Sequence, residues 1–293
     1  MRITAVLSVK DEVELIGDCV EHLRRIGVSQ IIAHDGGSTD GTLAKLKSYE
    51  APPDFIVHQF DDTHPVVALA EANANNRAAI DASRPDWVLY LDADEFWIPA
   101  SGRLQDCASL ADADVLDVRR FNVPLTPAGA AMPLPAEPGR YAELDLFVKS
   151  VPQLRLTMQA DPRFAWIRGV PLPKIMARPD SYESVRAGWH QIVPVAGREP
   201  RRCVPADLLV AHLPFTTRSR FARKLANIRR LLQAPIAQAE FKGWHWRRWG
   251  EIEEQAGVDA EFDLQIFRPG RIEKLRARGV IRSAADLFAL GGD

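Results

Sequence analysis

Cysteine is scarce in this chain, apolar runs are short, and neither sign of charge prevails. Among 293 residues there are three cysteines, Cys19, Cys107 and Cys203, which lie far apart and form no CxxC pair. This pattern excludes a disulfide framework and a cysteine zinc site, and it indicates a reducing compartment. No run approaches the roughly 20 apolar residues of a membrane-spanning helix. Charges follow directly after apolar residues 3–9, unlike a secretory signal, so we expect a cytoplasmic protein.

The net charge of −2 provides no bulk positive charge, so we expect no nucleic-acid partner. The charge is nevertheless unevenly distributed. Residues 1–100 contain 8 basic and 17 acidic side chains, whereas residues 198–230 contain 9 basic and 2 acidic ones. The two regions can meet in one cleft, with a metal ion and an anionic ligand between them. A solvated basic helix is the alternative for the later region.

Two kinds of segment alternate over the first 100 residues. Short β-branched apolar runs predict buried strands, and apolar residues at helical spacing predict helices. Asp11 is expected to cap the first helix, with Glu14 in the capping-box position. This order predicts parallel βαβ units, in which ligands bind outside the carboxyl ends of the strands. Strands are predicted at 4–9, 30–33, 54–58 and 87–91, and helices at 11–27, 42–49 and 66–83.

The pattern is less regular in the rest of the chain. Residues 114–121 are predicted as a strand, and the proline-rich residues 122–140 as a long irregular loop. Short strands and turns are expected over 144–193. A basic helix is predicted over 218–232, with apolar residues on one face, and a helical tail from residue 250.

Asp92 and Asp94 form a DxD pair between the apolar segments WVLYL and EFW. Because side chains alternate along a strand, the two carboxylates should face the same side. Carboxylates this close raise each other's pKa unless a cation lies between them. Oxygen ligands favour Mg²⁺ or Mn²⁺, the ions that hold diphosphates. A solvated surface turn is the alternative, and the flanking apolar residues argue against it.

The segment HDGGSTDGT, residues 34–42, follows the second predicted strand. Its glycines permit tight or left-handed backbone, and Ser38 or Asp40 can cap the following helix. Asp35 stands at the end of the strand, where a ligand would dock. Its carboxylate can accept the N–H of a pyrimidine base.

The segments TAVLSVKDE, DGGSTDGT and WVLYLDADEF together resemble the nucleotide-binding half of glycosyltransferase family 2, which has the GT-A fold. The resemblance covers residues 1–100. It is closest to a bacterial branch with a DADEF signature and a later lysine-to-histidine segment, here from Lys174 to His190. It implies an α/β fold with a GT-A-like, Rossmann-type, mostly parallel sheet flanked by helices and a C-terminal helical extension on the acceptor side.

The same resemblance implies an activity and a division of the chain. A sugar would pass from a nucleotide-diphosphate donor to a carbohydrate or lipid-linked acceptor, usually with inversion and with Mn²⁺ or Mg²⁺ as cofactor. Residues 1–121 would form the nucleotide-sugar half, residues 122–250 the acceptor-side half of the same domain, and residues 251–293 a helical tail.

Several positions match nucleotide-binding positions of the family. Ser8 and Asp35 match base-contacting positions. Glu12 matches the acid of an Asn-Glu pair in which Asp11 replaces the Asn, so capping of the helix is an equal alternative there. Arg77 resembles a basic position near the nucleotide.

The resemblance also implies a metal and diphosphate site. Asp92 matches the acid that faces the ribose and the metal, and Asp94 the acid that binds metal and diphosphate directly. His190 or His212 would reach the metal from the second half, and a role as a core histidine is the alternative for each. Glu95 would support the metal ligands without binding the ion itself. The candidate ligands of the leaving diphosphate are Lys174, Arg218, Arg220 and Lys224, and a surface charge without such a role is the alternative for each.

The catalytic base is not identified by any motif. Inversion requires a group that deprotonates the acceptor hydroxyl, and the Glu-Asp pair of many relatives is missing between residues 100 and 250. Asp180 and Glu183 are preferred because they lie between Lys174 and His190. Glu143, Asp145 and Asp161 stay open as alternatives.

Two other functions stay open. A sugar-phosphate nucleotidyltransferase would carry a glycine-rich phosphate loop after the first strand, where this chain reads SVKDE. A catalytically inactive binding or scaffold protein is favoured by the missing Glu-Asp pair and disfavoured by the intact DxD. Finally, the basic helix from Arg218 and the Trp/Arg cluster over 244–249 suggest peripheral contact with an anionic membrane, with core packing as the alternative.

Overall fold

A computed structural model describes residues 1–60, 65–131, 140–149, 151, 153–233, 244–254 and 257–290. Strands and helices alternate over the first 100 residues, as the periodicity predicts. The strands are β1 (Ile3–Val9), β2 (Gln30–Asp35), β3 (Phe55–Gln59), β4 (Trp87–Asp92), β5 (Glu95–Pro99), β6 (Val115–Val118), β7 (Arg120–Asn122), β8 (Asp145–Phe147), β9 (Lys174–Ala177), β10 (Tyr182–Val185), β11 (Ile192–Pro194), β12 (Arg202–Cys203), β13 (Leu208–His212) and β14 (Ile281–Ser283). The helices are α1 (Ile16–Arg25), α2 (Thr42–Tyr49), α3 (Pro65–Ser83), α4 (Pro127–Ala131), α5 (Leu154–Ala160), α6 (Arg218–Gln233), α7 (Trp244–Glu254), α8 (Val258–Leu264), α9 (Pro269–Ala277) and α10 (Ala284–Leu290).

A seven-stranded sheet in the order β12-β6-β9-β4-β1-β2-β3 organises the fold. All of its strands run parallel except β9, which is antiparallel to both β4 and β6. The apolar runs of β1 and β4 are buried on both faces, as parallel strands covered by helices require. The predicted fold class, a mostly parallel GT-A-like sheet flanked by helices, is confirmed.

The faces of the large sheet belong to two different cores. Leu7 of β1 packs on one face together with Leu23 of α1. The opposite face carries Val6 and Tyr90 together with Ile80 of α3. Successive residues of one strand therefore pack into cores on opposite faces of the sheet. Because both faces are buried, the strand sequences are continuously apolar.

A smaller sheet, β5-β13-β7, begins two residues beyond the end of β4. β13 is antiparallel to β5 and parallel to β7, and its register pairs His212 with Glu95 on one side and with Asn122 on the other. The backbone N–H of Leu213 donates to the carbonyl of Asp94 at 2.8 Å. This small sheet therefore brings residues from three distant parts of the chain to the turn that carries the DxD pair.

Two local predictions need correction. The first helix begins at Ile16 without a side-chain cap, so Asp11 and Glu14 form no capping box. Asp11 instead has a positive φ of 53°, and its carboxylate accepts the backbone N–H of Thr39 at 2.7 Å. The strand predicted over 114–121 is two strands, because the chain leaves the large sheet after Val118 and enters the small sheet as β7.

The C-terminal segments pack against β8 and α6. β14 pairs antiparallel with β8, and Phe221, Leu225 and Trp249 share a core with Phe262. The core-packing alternative therefore holds for Trp249, which is 2% exposed. The loop predicted over 122–140 contains the short helix α4, and positions 132–139 lie outside the described residues. No helix in the described part of the chain is both long and apolar enough to cross a membrane.

Candidate active site

The carboxyl ends of β1, β2 and β4 meet at one edge of the large sheet. Register pairs Ser8 of β1 with His34 of β2 and with Asp92 of β4. Ser8 therefore stands between the strand ends that carry Asp35 and Asp92. The structure brings these three predicted residues together, as the βαβ order requires.

Asp35 is fully buried at the end of β2. Its Oδ2 accepts the backbone N–H groups of Gly37 and Ser38 at 3.1 and 3.0 Å, which fixes the turn. Gly37 has a φ of 76°, a left-handed conformation in which its missing side chain avoids strain. The other oxygen, Oδ1, is buried and has no hydrogen-bond partner. A buried acceptor without a donor costs free energy, so this oxygen suits an N–H group supplied by a ligand.

Asp94 lies in the turn between β4 and β5 and is almost fully buried. Its Oδ2 accepts from Nη2 of Arg220 and from Nζ of Lys224, both at 2.9 Å. Burial alone would raise the pKa of Asp94, but the charge of Lys224 above all holds that pKa well below its ordinary value. Asp94 is therefore an anion whose counter-ions come from α6.

Arg220 joins three segments around this aspartate. Its guanidinium is buried and also pairs with Glu12, Nε to Oε2 at 2.5 Å and Nη2 to Oε1 at 2.8 Å. Nη1 donates to the carbonyl of Leu213 at 3.1 Å. Burial raises the pKa of Glu12 despite the charge of Arg220. The structure thus places Arg220 as a link between the loops after β1, β4 and β13, where the sequence suggested a diphosphate ligand.

Asp92 occupies a different environment from Asp94. It is half-exposed, and its Oδ2 accepts from Nζ of Lys174 at 2.7 Å. The same ammonium group, itself buried, lies 3.2 Å from Oε2 of Glu95. Glu95 also pairs with Arg120, and burial raises the pKa of its carboxyl group. Both aspartates of the DxD pair are therefore neutralised by basic residues of this chain.

His212 faces Asp94 with one ring nitrogen and Asn122 with the other. Asn122 is buried, and its Nδ2 donates to the carbonyls of Ile167 and Gly169 at 2.9 and 2.8 Å. Its Oδ1 must therefore accept, and it lies 2.7 Å from Nδ1 of His212. Nδ1 consequently carries the proton, and burial lowers the pKa of His212 to about 4. Nε2 is left as a lone pair, 3.7 Å from Oδ1 of Asp94 and too far to donate a hydrogen bond.

These groups fit a divalent cation. Ligand atoms of Asp94, Glu95 and His212 lie within 4.8 Å of one another, and Asp92 is not in that group. An imidazole lone pair directed at a carboxylate is unfavourable unless a cation lies between them. Carboxylate and imidazole together suit Mn²⁺ better than Mg²⁺, which prefers oxygen ligands alone.

His190 takes a different position from His212. Its Nδ1 lies 2.8 Å from the carbonyl of Pro173, and burial, followed by the charge of Lys174, lowers its pKa to about 4. It is near the Lys174–Asp92 pair but outside the group of possible metal ligands. Of the two histidines considered from the sequence, the structure brings His212 to Asp94.

Asp180 and Arg77 lie at the opposite edge of the large sheet. Because β9 is antiparallel to β4, the chain runs from the carboxyl ends of the parallel strands at Lys174 to their amino ends at Ala177. Asp180 pairs there with Arg198, and Arg77 donates to the carbonyl of Pro179. This placement contradicts the proposal that Asp180 is the base and that Arg77 lies near the nucleotide. Both residues line a separate cavity of about 580 Å³.

Glu183 is also separated from the DxD turn. It is exposed on the β10–β11 hairpin, where its Oε1 accepts the backbone N–H of Ala196. The structure therefore gives neither preferred base a place beside Asp94. It adds Arg120 and Asn122, which the sequence analysis missed because their partners are distant along the chain.

A comparison with protein families identifies the first part of the chain. Residues 4–127 match the sequence model described as Glycosyl transferase family 2. The resemblance predicted from the three N-terminal segments is thereby confirmed for β1 to β7, while the DADEF branch stays a prediction. The matched region includes Asp35, both DxD aspartates and Asn122, and it ends before Lys174.

Searches beyond the family model give distant similarities. TarS of S. aureus (residues 1–349, in complex with UDP) is 14% identical with a TM-score of 0.36, covering 88% of this chain and 72% of that one. Glucosyl-3-phosphoglycerate synthase from Mycobacterium tuberculosis, in complex with phosphoglyceric acid, is 18% identical with a TM-score of 0.32, covering 62% and 59%. The bifunctional IspDF from Campylobacter jejuni is 7% identical with a TM-score of 0.31, covering 62% and 42%. No curated protein matches the chain. The fold is assigned from the strand order and register given above.

Proposed function

We propose that this protein transfers a sugar from a nucleotide-diphosphate donor to an acceptor hydroxyl, with inversion and with a divalent metal ion. The observation that carries the proposal is the pair formed by Asp94 and the unprotonated Nε2 of His212, next to a domain that matches family 2. Oδ1 of Asp35, at the same sheet edge, has no hydrogen-bond partner in the protein, and this supports recognition of a base that presents an N–H group.

Asp94 and His212 would hold the ion, with Asp92 at the rim of the site. A bound divalent ion would supply positive charge that stabilises the leaving diphosphate. The residues of this chain would bind and orient the donor: Asp35 accepts from the base, and Lys224 neutralises the diphosphate.

The ion pairs of Asp94 support joint binding of ion and donor. A divalent ion between Oδ1 of Asp94 and His212 would repel the ammonium group that Lys224 holds on Oδ2, and the diphosphate gives that ammonium group a new anionic partner. Each ligand thus removes the main obstacle to the other. This exchange favours binding of a metal–donor complex over binding of either component alone.

The direct test is incubation with a panel of nucleotide-diphosphate sugars in the presence of Mn²⁺, Mg²⁺ or EDTA. We expect release of the nucleoside diphosphate with Mn²⁺ and none with EDTA, and proton NMR should detect inversion in the product. Asp94→Asn should abolish release, whereas Asp112→Asn, an exposed residue of the same type, should not. Undiminished turnover by folded Asp94→Asn would contradict the metal assignment.

A second candidate is a family member that binds a donor without transferring it. It is supported by the basic residues on both DxD aspartates and by the position of Asp180 and Glu183 away from the site. Such a protein would bind a nucleotide sugar, with Mn²⁺ enhancing its affinity, and would release no product with any acceptor. The same panel, read by calorimetry as well as by product release, separates the two functions.

The acceptor and its location belong to the proposal as well. A carbohydrate or lipid-linked acceptor is expected, and contact of α6 with an anionic membrane would serve the latter. Sedimentation with anionic vesicles at physiological salt tests this contact, and absence of binding would refute it.

A further inference from the structure

Two arginines on the acceptor-side half lack an acidic partner. Arg168 ends a 3₁₀ turn that begins at Trp166, and Arg271 lies in the first turn of α9. Within the described ranges neither guanidinium makes an ion pair or a hydrogen bond. By contrast, Arg218 and Arg248 in the neighbouring helices pair with carboxylates.

A hydrogen bond links the two segments that carry these arginines. The N–H of Ile167 donates to Oε1 of Gln265 at 3.0 Å, which ties the segment before Arg168 to the segment before α9. The guanidinium of Arg271 lies over the ring of Phe267, two residues after Gln265. Burial, and then the charge of Arg271, lower the pKa of Arg168. Two positive charges therefore share a small region of the surface.

Stacking on aromatic rings orients both guanidinium groups. Arg168 lies 5.0 Å from the ring centre of Phe164, and Arg271 lies 4.5 Å from that of Phe267. A stacked guanidinium keeps the N–H groups at its edge available for an oxyanion. Nε of Arg168 is buried and has no acceptor, which is costly unless a ligand provides one.

This pair adjoins the candidate active site. Arg168 stands between Ile167 and Gly169, whose carbonyls hold Asn122, and Asn122 holds His212. The matched family domain supplies the donor half, so Arg168 and Arg271 lie on the side where an acceptor would enter.

We propose that Arg168 and Arg271 form an oxyanion site that binds a phosphate or carboxylate group of the acceptor. The role of this site in acceptor binding rests on the proposed function, whereas the existence of the oxyanion site does not. The site would therefore select an acceptor that carries a negative charge, such as a sugar phosphate or a sugar acid.

The oxyanion site is tested with inorganic phosphate, titrated by calorimetry against chloride at constant ionic strength. Wild type and Arg163→Gln, an exposed arginine of the same segment, should bind phosphate alike. Arg168→Gln and Arg271→Gln should weaken binding about tenfold, the loss expected for one charge-assisted contact. Arg271 is exposed, so its variant keeps the test valid if Arg168→Gln does not fold.

Equal phosphate affinity in all variants, or no phosphate binding by the wild type, would overturn the site. The acceptor role is tested separately with phosphorylated and neutral sugar acceptors. Arg271→Gln should raise KM for the phosphorylated acceptor while leaving kcat unchanged. Phosphate binding without such a rise would refute the acceptor role and keep a site for free oxyanions. Phosphate binding in a protein without transferase activity would refute the proposed function alone.

Discussion

Nζ of Lys224 lies 2.9 Å from Oδ2 of Asp94, the oxygen that also accepts from Nη2 of Arg220 at 2.9 Å. Two cations of α6 thus share one carboxylate oxygen, while Oδ1 faces His212. Arg220 has a second anionic partner in Glu12, but Asp94 is the only carboxylate that Lys224 contacts in the described residues. Lys224 is therefore the cation that can leave.

Lys224→Gln should change metal and donor binding in opposite directions. Removal of the ammonium group takes away a positive charge that competes for Asp94, so affinity for Mn²⁺ alone should rise several-fold. Affinity for the donor should fall about tenfold, because one charge-assisted contact to the diphosphate is lost. Electron paramagnetic resonance of Mn²⁺ and calorimetry of the donor measure the two effects. Lys274→Gln, on the exposed face of α9, is the matched control, and a fall in both affinities would contradict the exchange.

Asp94→Asn should destabilise the fold as well as abolish transfer. The buried Arg220 would retain Glu12 but lose half of its anionic partners, and breaking a buried ion pair costs about 3–5 kcal/mol. Urea unfolding should detect this loss, and Asp112→Asn should show none. Unchanged stability of Asp94→Asn would show that the ion pairs contribute nothing to the fold.

Asp35→Asn should weaken donor binding by reversing one hydrogen bond. The N–H groups of Gly37 and Ser38 require an acceptor, so the amide oxygen would take the place of Oδ2. The amide NH₂ would then replace Oδ1 and face the N–H of the base. We expect at least about a tenfold loss in nucleotide affinity, measured by calorimetry. Asp54→Asn, exposed before β3, serves as control, and equal affinities would remove Asp35 from the base site.

Asn122→Leu should allow the proton of His212 to move from one ring nitrogen to the other. Without the acceptor at Nδ1, the proton can move to Nε2, which then cannot ligate a metal. ¹⁵N NMR of the imidazole reports the tautomer, and Mn²⁺ affinity should fall about 10- to 100-fold. Asn76→Leu removes the same type of bond, from Asn76 to His34, and should leave Mn²⁺ affinity intact. If His212 keeps its tautomer in Asn122→Leu, another group must fix it.

Stability should fall as the pH drops from 6.5 towards 4. Burial lowers the pKa of several histidines from 6.5 to about 4, so in this range the unfolded chain binds protons that the folded chain does not. The free energy of unfolding therefore decreases with falling pH and is constant above this window. Urea unfolding at pH 7.5, 6 and 5 measures the slope. The residues concerned are His22, His34, His190, His212 and His245.

A substitution of one histidine isolates its contribution to the pH dependence of the free energy of unfolding. His22 is not one of the proposed site residues, and its Nε2 lies 2.6 Å from the carbonyl of Trp97. His22→Phe should reduce the pH dependence by up to about 3 kcal/mol between pH 7.5 and 4. Identical slopes for the variant and the wild type would contradict the neutral state of His22.

The strands and helices of the first 100 residues could be predicted from the sequence because their signals are local. The run before Asp92 and the turn after Asp35 each combine an apolar strand with the acids that follow it, within about ten residues of chain. Lys174–Ala177 is different, because nothing in a strand of four buried residues indicates whether it runs parallel or antiparallel to its neighbours. The direction of β9 depends on its partners β4 and β6, and this direction carries the chain to Asp180 at the amino ends of the parallel strands, away from the DxD turn.

The second half of the site depends on long-range contacts. Asn122 bonds with residues 45, 47 and 90 positions away, so no local pattern identifies it. From the sequence alone, Arg220 cannot be distinguished from the exposed basic residues of the same helix. Its neighbour Phe221 marks the buried face, and that proximity was the one available sign that Arg220 points inward.

The antiparallel strand β9 also determines which fragments of this protein can fold. It comes from the second half of the chain yet lies between β4 and β6, which belong to the first. A fragment that stops at residue 127 would leave both strands with bare hydrogen-bonding edges, and such edges promote aggregation. We therefore expect that the family-matched region does not fold on its own.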